Sequence, residues 1–151
     1  MIELFIPKAK FLFNNQYDLV DHEGNLVYRH RSSFFQTKRS LLNIHNEVIM
    51  NSKTVFGFKQ KHVITQNNEL IAEVYSKSTW GGIIVPQKEL DVRVKGYWRF
   101  TVLRNEEEVL SITRSKQKKY SYVVSVKEDQ IDFLIMLMFT IIVMSEDSFV
   151  S

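Results

Sequence analysis

The sequence predicts a mainly β protein, a closed antiparallel barrel around one buried α-helix, and three observations carry that prediction. Residues 131–144 read IDFLIMLMFTIIVM, in which Asp132 and Thr140 are the polar exceptions. A helix of this composition is apolar on every face and has to be enclosed by lipid or by protein. At about 1.5 Å per residue it spans about 21 Å, short of the roughly 30 Å of a bilayer core, so protein is the expected enclosure. The second observation is a hairpin phrase, two β-rich runs around a short polar turn, that recurs along the chain. The third is LDVRVK at 90–95, which alternates apolar and charged side chains as a strand with one buried and one wet face does. Ten to twelve short strands and one helix follow. A helix apolar all round is covered by strands only if the sheet closes about it, and closure also removes exposed sheet edges.

Taken in order, YDLVD (17–21) turns through HEGN into LVYRHR (26–31). SLLNI (40–44) turns at His45 and Asn46 into EVIM, and HVIT (62–65) turns at QNN into ELIAEVY (69–75). WRFTVL (98–103) turns at RNE into VLSIT (109–113). The recurrence fits either an internal duplication or an ordinary β-meander. Gly81, Gly82 and Pro86 mark residues 79–88 as a loop, and Gly96 with Tyr97 as a turn. A last strand, YSYVVSV (120–126), leads to the helix, expected over about 129–144. Glu128, Asp129 and Asp132 suit its N-terminal dipole, with Asp129 as the N-cap.

At 151 residues the chain is expected to be a single domain over 1–151. Its 44% hydrophobic and 25% charged content excludes a disordered or fibrous protein. With no cysteine there is no disulfide framework, thiolate metal site or cysteine nucleophile. The opening residues MIELFIPKAKFLF lack the charged segment, apolar stretch and small-residue cleavage site of a secretory leader. Small size and absent cysteine point to a bacterial, cytoplasmic protein. A net charge of +3 and a pI near 9.1 allow an anionic partner without the charge density of a nucleic-acid arm.

The phrases YDLVDHEGNLVYRHR, KHVITQNNELIAEVYSK and YWRFTVLRNEEEVLSITRS, with the terminal DFLIMLMFTIIVM, resemble the LURP-one-related proteins of the tubby C-terminal-like superfamily, in particular their small bacterial members. The resemblance covers nearly the whole chain and rests on the hairpin phrases and the apolar helix. It implies a closed barrel of about twelve strands around a central hydrophobic helix. Superfamily relatives include tubby proteins, which bind phosphoinositides, and phospholipid scramblases, while most bacterial members have no assigned activity. Fold kinship is an analogy about function and no more. The lysine and arginine positions of tubby proteins do not map onto this chain, so no site is carried over.

Signals of catalysis are thin. His22, His30, His45 and His62 have no metal-ligand spacing, and His22 and His45 fall at turn tips, where polar residues are common. There is no nucleophile elbow, P-loop, dinucleotide-binding glycine motif or EF-hand loop. The acids at 106–108 and 146–147 read as solvated runs rather than a catalytic pair. The expectation is therefore no enzyme, no cofactor and no metal site.

Charge placement says more. The hairpin tips carry Asp21, Glu23, Asn46, Glu47, Asn67 to Glu69 and Asn105 to Glu108, whereas the return strands run out to basic residues. Side by side in a barrel, tips would share an acidic rim and return ends a basic one. The candidate anionic-ligand residues are Lys38, Arg39, Lys59, Lys61, Lys116, Lys118 and Lys119. The plainer alternative is that these lysines are gatekeepers against edge pairing. If the rim binds, the expected partner is an anionic membrane surface or a phospholipid headgroup, with the protein peripheral at the inner membrane face. Alternatives are a structural or protein-interaction domain without a lipid ligand, a scramblase-like role, and nucleic-acid stacking on Phe34, Phe35, Phe56, Phe58, Tyr120 and Tyr122. The last is disfavoured because most of these rings alternate as core residues.

Overall fold

The computed structural model describes residues 1–8, 16–33, 37–56, 61–76, 83–85, 88–96 and 98–150. Among them are twelve strands and one helix: β1 (Ile2–Pro7), β2 (Gln16–Val20), β3 (Leu26–Ser32), β4 (Lys38–Leu42), β5 (Val48–Val55), β6 (Lys61–Gln66), β7 (Glu69–Ser76), β8 (Ile83–Val85), β9 (Leu90–Gly96), β10 (Arg99–Arg104), β11 (Glu107–Arg114), β12 (Tyr120–Val126) and α1 (Ile131–Val150). The fold is mainly β with one helix, as expected. Each strand from β2 to β12 pairs antiparallel with the next, and β12 pairs with β1. β1 returns to β2 through the single register pair Phe5↔Val20. A second apolar cluster of Phe5, Val20, Tyr120 and Val123 backs this thin seam, with Phe5 stacked on Tyr120 at 4.7 Å. Because side chains alternate along a strand, Leu4 and Ile6 point to the main core while Phe5 serves the outer face.

The turns follow from their residues. Asp21 accepts the amides of Glu23 and Asn25 at 2.9 Å each, and Asn43 accepts those of His45 and Glu47 at 2.9 and 3.0 Å. The fourth residue of each loop is left-handed, Gly24 at φ 86° and Asn46 at φ 65°. These two hairpins thus share one side-chain-templated loop. The other two use two-residue turns with both residues left-handed, Asn67-Asn68 and Asn105-Glu106, the geometry that matches strand twist.

Residues Leu134 to Ile141 of α1 are all 0–1% exposed, so no face of these two turns reaches solvent. The strands supply the cover through Leu19, Leu41, Ile64, Val74, Val85, Val102, Leu110, Ile112 and Val124, all fully buried.

Several expectations are corrected. Within 79–88, read as a loop, Ile83–Val85 forms β8, pairing with β7 and β9. Three β-branched residues suit a strand, and Gly81, Gly82 and Pro86 lie outside the described residues. The alternation at 90–95 holds for Leu90 and Val92 but not for Val94, which is 44% exposed. Trp98, assigned to a strand, lies outside β10 at φ 61°. The helix runs over Ile131–Val150 rather than 129–144. Gln130, at φ 58°, stands immediately before it, which puts Asp129 outside the cap position. Asp132 in the first turn accepts a hydrogen bond from the Tyr28 hydroxyl of β3, tying the helix start to the sheet. Burial and then this carboxylate push the Tyr28 hydroxyl pKa upward.

Candidate functional site

Antiparallel order sorts the connections between two ends. One end carries the tips after β2, β4, β6 and β10 and the entry to α1; the other carries the start of β4, the start of β6 and the β11–β12 connection. The acidic and amide-rich hairpin tips therefore share one end, and most of the candidate lysines the other.

At the basic end, Lys116, Lys118 and Lys119 are exposed on the β11–β12 connection. Ser115 Oγ accepts the amide of Gln117 at 3.0 Å, the Tyr120 amide donates to the Gln117 carbonyl at 3.2 Å, and the Lys8 amide donates to the Lys119 carbonyl at 3.4 Å. These bonds bring Lys8 beside the connection. Lys8, Arg114, Lys116 and Lys118, with Tyr120 and Tyr122, line an open depression of about 410 Å³. No carboxylate is among its described lining residues. Lys119 Nζ lies 5.1 Å above the Tyr120 ring. Lys8 is not among the sequence-predicted residues, since the opening residues give no strand pattern that would place it at this end. Leu4-Phe5-Ile6 is a continuous apolar run, buried on both faces, and carries no alternation to mark the strand.

The remaining candidates separate. Lys38 is exposed and stands in register opposite Lys53, a like-charged pair across β4 and β5. Lys61 is paired with Glu73 at 2.5 Å, and Tyr75 donates to the same carboxylate oxygen at 3.0 Å. The hydrogen bond to Glu73 raises the Lys61 pKa and offsets its charge. Lys59 lies outside the described residues.

Arg39 does not belong to the rim. It is 2% exposed, inside the sheet. Its Nε and one terminal nitrogen donate to Ser52 Oγ at 3.3 and 2.8 Å, and the other donates to Thr54 Oγ1 at 3.2 Å. His62 Nδ1 is 3.1 Å from both Arg39 and Thr54. Thr140 of α1 donates to the Met136 carbonyl at 2.9 Å and lies 3.1 Å from Ser52 Oγ. Arg39 is thus a structural cation joining β4, β5 and β6, one step from the helix. The reason is periodicity: Arg39 shares its strand face with Leu41, whereas Lys38 and Ser40 take the other.

His30 and His62 are each 2% exposed as well. His30 stacks on Phe139 of α1 with centroids 4.2 Å apart, and among the described residues neither of its ring nitrogens has a hydrogen-bond partner. Burial, then the nearby Arg39 charge, lowers the His30 pKa to about 3 and that of His62 to about 4, so both rings are neutral at pH 7. Among the described residues no cluster of three or more potential metal ligands occurs.

At the hairpin end, a depression of about 310 Å³ is lined by Arg104, Asn105, Glu107, Val109, Lys127 and Asp129. Lys127 pairs with Glu107 and lowers its carboxyl pKa. Acids and bases balance each other in this depression, unlike the basic one.

Among curated proteins no match is found. The X-ray structure of a protein from Arabidopsis thaliana is similar to this fold, with a TM-score of 0.59 and 17% sequence identity, covering 93% of this chain and 90% of that one. At that identity the likeness concerns the fold. Residues 2–144 match the family model described as LURP-one-related, and the chain belongs to that family.

Proposed function

We propose that this chain is a non-enzymatic binding module that engages an anionic membrane surface through its basic end. The observation that carries the reading is the depression at the β11–β12 connection, where four cations converge among the lining residues without a carboxylate. Each lysine or arginine close to an anionic surface contributes about 1 kcal/mol, and the attraction fades within a Debye length. Lys8, Arg114, Lys116, Lys118 and Lys119 together supply enough for a reversible, salt-sensitive association. The reading takes the sheet as a closed barrel, completed at the β1–β2 seam, that holds these residues on one rigid end. It places the protein in the cytoplasm, peripheral at the inner membrane face, with phospholipid headgroups as ligand and no cofactor. Arg39 and Lys61 contribute little, because their cations are engaged by protein groups.

Vesicle co-sedimentation at two salt concentrations tests it. Binding that requires anionic lipid, weakens with salt and is lost in Lys116→Glu/Lys118→Glu/Lys119→Glu is the expected result. Equal sedimentation of the triple variant would reject the site.

A second reading, a protein-interaction domain with no lipid ligand, is favoured by a different observation. Ile44, Val48 and Leu70, at 60%, 55% and 55% exposure, belong to the neighbouring β4–β5 and β6–β7 hairpins at the opposite end. A stoichiometric partner lost on Ile44→Ser/Leu70→Ser, with vesicle binding absent, would select it. A scramblase-like role would require α1 to insert, yet no described helix is long and apolar enough to cross a membrane.

A further inference from the structure

We propose that His30 and His62 form an acid-sensitive lock on the central helix: protonating them, in a wall that already holds the Arg39 guanidinium, loosens α1 from β3–β6. His30 is fully enclosed and lies flat on Phe139 of α1, with rings 12° from parallel. Its two nitrogens have no partner among the described residues, so an added proton would find no acceptor among them. His62 reaches the helix by a chain of contacts through Arg39, Ser52 and Thr140. As a neutral ring it accepts from Arg39 at Nδ1. Once protonated it presents a donor to a donor, and that contact becomes repulsive.

The groups facing the two imidazoles lie on several elements, beginning with Val74 of β7, which stands in register opposite His62. Tyr17 of β2 lies 6.4 Å from His30, centroid to centroid, and Phe139 belongs to α1. Arg39 of β4 acts on both rings, and Thr54 of β5 bonds His62. Among the described residues Arg39 is the charged group in this set, and its sign opposes protonation.

The direction of the pH effect follows from where each state takes up its protons. In the locked state both histidines resist protonation down to about pH 4 and about pH 3. In a loosened state they titrate near about 6.5, the ordinary value. The lock is therefore at full strength above about pH 6.5 and is lost as pH falls below it. Each imidazole shifts the closed-to-open ratio by up to about tenfold per pH unit over that window.

Amide hydrogen exchange on the full chain, corrected for intrinsic rates, reads this directly. Between pH 7 and pH 5, protection over residues 133–144 is expected to fall by about two to three powers of ten, while amides of β9–β12 keep theirs. A His30→Phe/His62→Asn variant keeps the stack and an acceptor but cannot titrate, and its helix protection is expected to be flat over the same range. Three results would each overturn the lock: helix protection in the wild type independent of pH, an equal fall in the double variant, or β9–β12 losing protection together with α1. The wild-type comparison stands even if the variant does not fold.

Discussion

The two halves of the wall around α1 enclose it equally well but with different chemistry. On the β9–β12 side the buried core residues include Val92, Phe100, Val102, Leu110, Ile112, Val124 and Val126, all apolar. On the β3–β6 side His30, Arg39, Ser52 and His62 are buried to the same degree, and Thr140 is the polar residue that the helix turns toward them. The backbone of α1 approaches the sheet most extensively at β5 and β6. Apolar burial is non-directional, so the β9–β12 half holds the helix in without fixing its rotation. Hydrogen bonds are directional, and the polar half can fix rotation and depth. Both sides enclose the helix, the β3–β6 side through Leu41, Met50 and Ile64, and the directional contacts that can orient it lie on the β3–β6 side.

The harshest way to break that arrangement is to put a charge where neither half can receive it. Ile135→Asp and Leu137→Asp each place a carboxylate at a position that is 0% exposed. An isolated buried charge costs far more than the roughly 5–15 kcal/mol by which a domain is stable, so neither variant should yield folded soluble protein. Normal yield and melting temperature would remove the enclosed-helix architecture altogether. Next in size is the apolar half. Phe100→Ala should cost about 3–5 kcal/mol, measured as a lower denaturation midpoint with an unchanged slope.

Arg39→Met should cost less, about 1–3 kcal/mol, because Ser52 and His62 each lose a partner but keep another, Thr140 and Thr54 respectively. It should also raise the histidine pKa values toward ordinary, since Arg39 is the second cause of their depression. NMR titration of the imidazole carbons would detect the change. A loss in Arg39→Met as large as that in Phe100→Ala would mean that the Arg39 cluster holds the helix as strongly as an apolar core residue does, and its assignment to orientation would fail.

These two halves were not equally legible in the sequence. The helix could be read because every position but two is apolar, which leaves only enclosure as a solution. The hairpin tips could be read because Asn and Gly are the residues that tolerate left-handed backbone, and Gly24, Asn46, Asn67, Asn68 and Asn105 all adopt it. The basic end was legible too, since antiparallel order fixes which connections share an end. The polar wall was misread because a cation next to Lys38 looks like surface. Strict alternation in KRSLL, in which Arg39 and Leu41 share a face, held the answer. Likewise His30 shares a face with Tyr28, and His62 with Ile64. β8 was hidden for a different reason: three residues carry too few periods for alternation to register, and tertiary demand from β7 and β9 decided their state.

The finest test is whether the polar half orients the helix or merely tolerates being buried. Thr140 and Ser52 belong to elements far apart in sequence and meet at 3.1 Å, with Thr140 also bonded to its own helix at the Met136 carbonyl. Because Ser52 keeps its two Arg39 donors when the Thr140 hydroxyl is removed, Thr140→Val should be mild, whereas Ser52→Ala takes away the acceptor of those two donors and should cost more. A double-mutant cycle isolates the contact between them, with an expected coupling of about 0.5–1.5 kcal/mol. If the contact sets rotation, Thr140→Val should also move the ring signals of Phe139 against His30, a change that loss of one hydrogen bond without reorientation would not produce. Coupling near zero with unmoved Phe139 signals would make the polar wall a tolerated irregularity, and the packing of residues 133–144 would then be the whole source of the helix's register.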